Sequence, residues 1–131
     1  DETIRKVLKE QKTVAVVGLS SNPLKASHRV AKFLRGKGYR IIPVNPNAKE
    51  VLGEKSYPQL RDVAEKIDIV NVFRPPSELP GIAEEAINAG AKTLWAQEGI
   101  VNNEAAAMAE SNGLAVIMGR CIMKDYLAHL K

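Results

Sequence analysis

The segment from residue 13 to residue 29 reads TVAVVGLSSNPLKASHR, and its side chains are suited to binding an anion. A β-branched run ends at Gly18, which lets the backbone turn sharply and approach a ligand closely. Hydroxyl, amide and charged side chains follow in a short loop: Ser20, Ser21, Asn22, Lys25, His28 and Arg29. Ser27 is predicted to cap the next helix, whose first N–H groups would then face the anion. A phosphate site and an ordinary strand-to-helix turn both fit these residues.

The same loop departs from the fingerprint of dinucleotide-binding proteins. That fingerprint, G-x-G-x-x-G, would need glycines where this chain has Ser20 and Pro23. Pro23 also lacks an N–H group to donate to a pyrophosphate. An NAD(P)-linked oxidoreductase is therefore disfavoured and stays only as an alternative.

The end of the second apolar run, PVNPNAK, carries a different signal. An NAD site needs Asp or Glu near this point to bind the ribose hydroxyls. The chain instead has Val44, Asn45 and Pro46 there, and Lys49 follows just beyond. A lysine in place of the acid suits a ligand with an additional phosphate on its adenosine ribose. An exposed turn built from Asn and Pro is the alternative interpretation.

Three further apolar runs end in residues that could contact a ligand. Arg74 is followed by two prolines, which favour a stiff, extended exit from the strand. Gln97 and Glu98 follow the fourth run, and Arg120 and Cys121 follow the last. A lone cysteine in such a place is more often buried and unreactive. The neighbouring arginine favours a thiolate, so a redox role for the cysteine stays open.

These residues follow segments with the pattern of buried strands. Near-continuous apolar runs cover residues 13–18, 39–44, 67–73, 93–96 and 114–117. Amphipathic helical segments alternate with them at 27–38, 77–90 and 103–113, and terminal helices are predicted at 3–11 and 124–130. The alternation predicts an α/β fold: a doubly wound, mainly parallel five-stranded sheet with helices on both faces. Ligands bind outside the carboxyl ends of the strands in such sheets.

Composition narrows the class of protein. The chain has 131 residues, 45% of them hydrophobic and 26% charged, and is predicted to form a single domain over residues 1–131. The net charge of +4 suits a small anionic ligand, and the 5% of aromatic residues argues against nucleic-acid binding. We expect no membrane partner and a cytoplasmic location, because no apolar run could cross a bilayer or direct secretion. The single cysteine allows no intrachain disulfide.

Taken together, five motifs resemble the small stand-alone CoA-binding proteins of the Rossmann-like CoA-binding family. They are VGLSSNPLKASHRVAKFL, GYRIIPVNPNAKEVLGEKSYPQL, VNVFRPP, WAQEGI and GRCIM, in that order along the chain. The family shares its fold with the CoA-binding domains of the succinyl-CoA synthetase α subunit and of ADP-forming acyl-CoA ligases. The resemblance extends from Ile4 to Leu130.

The resemblance implies that the ligand is coenzyme A or an acyl-CoA, and it implies how that ligand would lie. Residues 18–29 would hold the pyrophosphate, and the exit of the second strand would border the adenosine and its 3′-phosphate. Residues 73–75 would flank the pantetheine, with residues 97–98 near its far end. The implied binding residues are Gly18, Leu19, Ser20, Pro23, Lys25, Ser27, His28, Arg29, Val44, Asn45, Pro46, Lys49, Phe73, Arg74, Pro75, Gln97, Glu98 and Cys121.

The resemblance further predicts a binding protein that is not an enzyme. The related ligases need a phosphorylated histidine in a separate downstream domain and a nucleotide-binding partner. Here His28 lies on the first crossover helix, and His129 is predicted in the last turn of the last helix, where a cation suits the helix dipole. The sequence therefore predicts a non-catalytic CoA-binding protein, with a CoA-thiol redox protein using Cys121 as an alternative.

Overall fold

A computed structural model describes residues 1–130, so Lys131, the last residue of the predicted domain, lies outside it. The strands are β1 (Thr13–Val17), β2 (Arg40–Val44), β3 (Glu50–Val51), β4 (Glu54–Lys55), β5 (Ile69–Val72), β6 (Thr93–Ala96) and β7 (Ala115–Ile117). The helices are α1 (Glu2–Glu10), α2 (Ala26–Gly36), α3 (Leu79–Asn88), α4 (Asn103–Ser111) and α5 (Ile122–His129).

Five of the strands form one parallel sheet in the order β2-β1-β5-β6-β7. The chain runs outward from β1 to β2, then returns to the other side of β1 and continues through β5, β6 and β7. This reversal places a topological switch point between β1 and β5, where the crossover helices depart to opposite faces. The predicted doubly wound, Rossmann-like sheet is confirmed.

Helices cover both faces of the sheet, and each face has its own core. Buried residues of α1, α2 and α5 pack with Val14, Val16 and Trp95. Buried residues of α3 and α4 pack with Val70 and Leu94 on the opposite face. The near-continuous apolar runs of the strands are explained by this double coverage.

Three helix starts differ from the sequence prediction. Helix α3 begins at Leu79, two residues after the predicted start, because a 3₁₀ turn at Pro76–Glu78 precedes it. The cap residue of α2 is Lys25, whose side chain makes no capping hydrogen bond, so the prediction that Ser27 caps this helix is wrong. Ser27 lies buried in the first turn, where its hydroxyl oxygen accepts a hydrogen bond from the Ser20 N–H at 3.0 Å. The last helix begins at Ile122, two residues before the predicted start, because the Asp125 N–H bonds to the Cys121 carbonyl at 3.0 Å.

The segment between β2 and β5 contains structure that the sequence pattern did not predict. Strands β3 and β4 form a small antiparallel hairpin, and a 3₁₀ turn follows at Leu60–Asp62. A bridge between Val44 and Tyr57 ties this segment to the end of β2. Within residues 1–130, no helix is long and apolar enough to cross a membrane.

Candidate functional site

A cleft of about 410 Å³ opens at the carboxyl ends of β1, β2 and β5. It therefore lies beside the switch point, where open α/β sheets bind their ligands. The lining residues come from the strand exits, the 3₁₀ turn and one face of α3: Val17, Gly18, Ser20, Val44, Asn45, Pro46, Asn47, Pro58, Gln59, Leu60, Arg74, Glu78, Ile82 and Glu85.

Gly18 holds the exits of β1 and β5 in close contact. Its φ is +88°, a conformation that L side chains rarely adopt. A Cβ atom at this position would lie 2.9 Å from the carbonyl oxygen of Phe73 and 2.9 Å from Cδ of Arg74. The glycine is thus required by the turn and by the neighbouring backbone of the β5 exit.

The loop after Gly18 is held in place by its own polar groups. The Asn22 N–H donates to the Ser20 hydroxyl at 3.0 Å, and the Leu24 N–H donates to the Asn22 side-chain oxygen at 2.9 Å. The bond from the Ser20 N–H to Ser27 already joins the loop to α2. Such side-chain-to-backbone bonds are typical of Asx and Ser turns. The loop is therefore ordered by the protein itself, and in the first turn of α2 the His28 N–H already donates to the Lys25 carbonyl at 3.1 Å.

Two basic side chains of α2 also bond to this loop. Nδ1 of His28 lies 2.9 Å from the Ser20 carbonyl oxygen. Because a carbonyl oxygen only accepts hydrogen bonds, Nδ1 carries the hydrogen of this bond. Arg29 donates from Nη1 to the Leu24 carbonyl at 2.6 Å. Lys25 is exposed at the start of the helix.

Asn45 joins the exits of β1 and β2. Its Nδ2 donates to the Leu19 carbonyl at 2.9 Å, and its Oδ1 accepts from the Asn47 N–H at 2.8 Å. The Leu19 side chain itself is fully buried in the core. Lys49 is exposed and follows this exit outside the lining of the cleft.

Arg74 and Glu78 form a two-bond ion pair at the mouth of the cleft. Nε and Nη2 of Arg74 donate to the two carboxylate oxygens of Glu78 at 3.1 and 2.7 Å. These hydrogen bonds lower the pKa of the Glu78 carboxyl and raise the pKa of Arg74. The side chains are 47% and 44% exposed, so the arginine can exchange its partner for an anionic ligand without uncovering a buried charge.

The residues at the exits of β6 and β7 lie outside the cleft lining and bond to α5. The Gln97 side-chain oxygen accepts from the Ile122 N–H at 3.4 Å. Glu98 pairs with Lys124 at 3.1 Å. Cys121 is 6% exposed and belongs to the core beside Trp95 and Ile122.

The structure thus separates the predicted binding residues into two groups. Those that line the cleft are Gly18, Ser20, Val44, Asn45, Pro46 and Arg74. Those at the same edge but outside the lining are Leu19, Pro23, Lys25, Ser27, His28, Arg29, Lys49, Phe73, Pro75, Gln97, Glu98 and Cys121. Within residues 1–130, no cluster of three or more His, Cys, Asp or Glu side chains is arranged to hold a metal ion.

Sequence reasoning from the strand exits missed the opposite wall of the cleft. That wall consists of Asn47, Pro58, Gln59, Leu60, Glu78, Ile82 and Glu85. No signal in the sequence distinguishes Glu85, because Glu84 stands equally close to the buried Ala83 on the same helix and is exposed.

Comparison with known proteins identifies the family. A family model described as a CoA binding domain matches residues 12–126 of the chain. The chain belongs to this CoA-binding family.

Relatives of this CoA-binding chain include both small proteins and parts of large ligases. It is 48% identical over 119 residues to the uncharacterized protein YneT of Bacillus subtilis, covering 91% of this chain and 88% of that protein. It is 27% identical to the ADP-forming acetate–CoA ligase I of Archaeoglobus fulgidus, covering 85% of this chain but only 18% of the ligase. A solved structure of a hypothetical protein from Pyrococcus horikoshii superposes with a TM-score of 0.96 at 38% identity, covering 99% of this chain and 92% of that one.

Proposed function

We propose that this protein binds coenzyme A in the carboxyl-edge cleft, and that binding rather than catalysis is its function. The observation that carries the proposal is the position of the cleft in a chain of the CoA-binding family. The cleft opens at the switch point between β1 and β5, and the loop from Gly18 to Arg29 borders it. A ligand with a pyrophosphate fits such a strand–loop–helix arrangement.

The proposed orientation follows the strand exits. The pyrophosphate lies against residues 18–29, beside the start of α2. The adenosine lies at the exit of β2, bordered by Asn45 and Pro46, with Lys49 near the 3′-phosphate. The pantetheine runs along residues 73–75, and its thiol end reaches toward Gln97 and Glu98.

The charges at this edge support a polyanionic ligand. Coenzyme A carries a pyrophosphate and a 3′-phosphate, and the edge presents Lys25, Arg29, Lys49 and Arg74. Hydrogen bonds from charged donors to phosphate oxygens are among the stronger ones available to a protein. Arg74 is suited to such a role because its present partner, Glu78, is exposed.

The reactive side chains at the edge support binding rather than catalysis. His28 uses Nδ1 to hold the Ser20 carbonyl, which makes the ring part of the loop. Cys121 is buried in the core, so a disulfide with the CoA thiol would require α5 to move. We therefore favour the binding function over a CoA-thiol redox reaction at Cys121.

The matched part of the acetate–CoA ligase is a small fraction of that enzyme. We propose that the same unit binds the same cofactor in this chain and that it acts in the cytoplasm. Its ligand is then free CoA or an acyl-CoA.

A thermal-shift experiment tests the proposal. Protein freed of bound ligand and checked by its absorbance near 260 nm is melted with CoA, NAD or NADP at equal concentration. A ligand that binds only the folded state stabilises it by about 2.7 kcal/mol at a hundredfold excess over Kd. CoA should raise the melting temperature by several degrees, and the dinucleotides should do much less.

The expected preference has a structural reason. The β2 exit presents Asn45 and Pro46 where NAD requires an acid, and Ser20 and Pro23 stand at the glycine positions of the dinucleotide fingerprint. A larger shift with NAD or NADP than with CoA would overturn the proposal.

A further inference from the structure

One carboxylate oxygen in the cleft has no partner. Oε1 of Glu85 is enclosed, and no hydrogen-bond donor contacts it among residues 1–130. The residue lies on α3, one turn after Ile82, and both line the cleft. The other acid of this wall, Glu78, has both of its oxygens bonded to Arg74. Glu85 is therefore the acid of the cleft with an enclosed oxygen left unsatisfied.

Glu85 lines the cleft together with both polar and apolar side chains. Val17, Val44, Leu60 and Ile82 line the cleft together with Glu85. Glu85 and Leu60 also line a second cavity of about 560 Å³. The enclosed carboxylate oxygen of Glu85 thus belongs to a residue that lines the cleft beside these four apolar side chains.

An enclosed carboxylate oxygen without a donor is energetically unfavourable. Removal from water costs an ionised group far more than a neutral one unless a hydrogen bond replaces the lost hydration. A bound ligand that places an N–H or O–H group at Oε1 would remove this cost. A phosphate there would increase it, because two anions would face each other.

We propose that Glu85 accepts a hydrogen bond from the 6-amino group of the adenine ring and so selects adenine as the base. This inference rests on the proposed binding of coenzyme A. Adenine is the part of that ligand with flat apolar faces and an amino group at its edge. Its faces match the apolar side chains of the lining, and its amino group matches the unpartnered acceptor.

The assignment predicts which bases the cleft rejects. A base with a carbonyl oxygen at position 6 would direct lone pairs at the carboxylate. A site that hydrogen-bonds one substituent discriminates strongly against an analogue that lacks the donor, because the buried polar group is left unpaired. Glu85 would therefore be a specificity-determining residue.

The test compares CoA with its deaminated analogue, in which hypoxanthine replaces adenine. Calorimetric titration of the wild-type protein should give a Kd for the analogue about 10- to 100-fold higher than the Kd for CoA. Glu85→Gln should bring the ratio close to one, because the amide can donate to the carbonyl as well as accept from the amino group. Glu85→Ala, which can do neither, should also remove the discrimination.

Glu84→Gln serves as the matched control. Glu84 is the adjacent acid of α3, is exposed and lines only the second cavity, so its variant should keep the wild-type ratio. Equal binding of both ligands by the wild type, or an unchanged ratio in both Glu85 variants, would overturn this inference and leave the proposed function standing. Failure of the wild type to bind either ligand would overturn the proposed function and this inference with it.

Discussion

Two arginine–carboxylate pairs at the ligand edge have the same local geometry but different surroundings. Arg74 pairs with Glu78 at the exit of β5, and Arg120 pairs with Asp125 at the exit of β7, each at 2.7 Å through Nη2. The Glu78 side chain is 44% exposed, whereas that of Asp125 is 7% exposed. The carbonyl of Arg120 also accepts a hydrogen bond from the Trp95 indole at 2.9 Å.

This difference separates a cleft region, at the exits of β1, β2 and β5, from a closed region, at the exits of β6 and β7. An arginine paired with an exposed carboxylate can turn to a ligand at little cost. An arginine that neutralises a buried carboxylate cannot, because its departure leaves a buried charge unpaired. The two sequence patterns look alike, and burial of the acid determines their roles.

The largest expected difference between the two regions concerns their glycines. Gly18 and Gly99 have similar positive φ values, +88° and +78°, but a Cβ at Gly99 would meet no atom within 4 Å. Gly99→Ala should destabilise the protein by about 1 kcal/mol through backbone conformation alone. Gly18→Ala should cost about 2–4 kcal/mol, because the methyl group also collides with the Phe73 carbonyl. Urea denaturation measures the free energy of unfolding of both variants. Equal losses of that free energy would contradict the close contact between β1 and β5.

The two arginines should differ next in their effect on folding stability. Arg120→Gln removes the partner of the buried Asp125 and should lower the free energy of unfolding by more than Arg74→Gln does. Arg74→Gln removes an exposed pair and should cost less than about 1 kcal/mol. The same denaturation experiment measures both variants. A greater loss of unfolding free energy for Arg74→Gln than for Arg120→Gln would contradict the distinction between the two regions.

For CoA affinity we expect the opposite order, with Arg74→Gln the more damaging of the two substitutions. Arg74→Gln removes a cation from the cleft and should raise the Kd for CoA by about tenfold, the equivalent of 1.4 kcal/mol. Arg120→Gln should leave the Kd of the folded protein within about twofold of the wild-type value, since Arg120 lies outside the cleft lining and is held by the buried Asp125. Calorimetric titration below the melting temperature gives the Kd for CoA of each variant. An equal weakening by both substitutions would show that the ligand extends over both regions.

The smallest expected effect is a change in the titration of Glu78. Hydrogen bonds from Arg74 lower the pKa of this carboxyl below its ordinary value of 4.5. The pair therefore contributes stability above about pH 4.5, which is lost as the pH falls through the lowered pKa. Arg74→Gln should raise the pKa toward 4.5, and Arg120→Gln should leave it unchanged. Carboxyl ¹³C NMR during an acid titration follows the change.

Binding of CoA should act on Glu78 in the same direction as removal of Arg74. If the ligand takes the arginine as its partner, the Glu78 carboxyl loses its hydrogen bonds and its pKa rises. A pKa that is the same with and without saturating CoA would show that the Arg74–Glu78 pair stays intact in the complex.

The sheet could be predicted from the sequence because its strands are covered on both faces. Such strands appear as continuous apolar runs, and positive-φ glycines such as Gly38, Gly90 and Gly113 mark the ends of the segments between them. The hairpin of β3 and β4 could not be predicted in the same way. Its strands have two residues each, and a bridge to the end of β2 holds the segment in place.

The cleft was only half predictable for a related reason. Gly18, Asn45 and Arg74 stand at strand ends, where the fold class places ligand-binding residues. Leu60, Ile82 and Glu85 come from a 3₁₀ turn and the middle of a helix, and only tertiary packing brings them to the same space. The role of Ser27 was mistaken because its hydroxyl bonds back to Ser20, a contact seven residues away that no capping rule contains.

The most direct test of CoA binding in the cleft locates the ligand on the protein by NMR. ¹H–¹⁵N correlation spectra of ligand-free protein are recorded during titration with CoA, and perturbed amides are mapped on the structure. If CoA binds in the cleft, the largest changes should occur at Gly18, Ser20, Asn45 and Glu85, with Thr93 at the opposite edge of the sheet unchanged. Changes centred on the second cavity around Arg61–Lys66, or on the amino edge of the sheet, would contradict binding in the cleft.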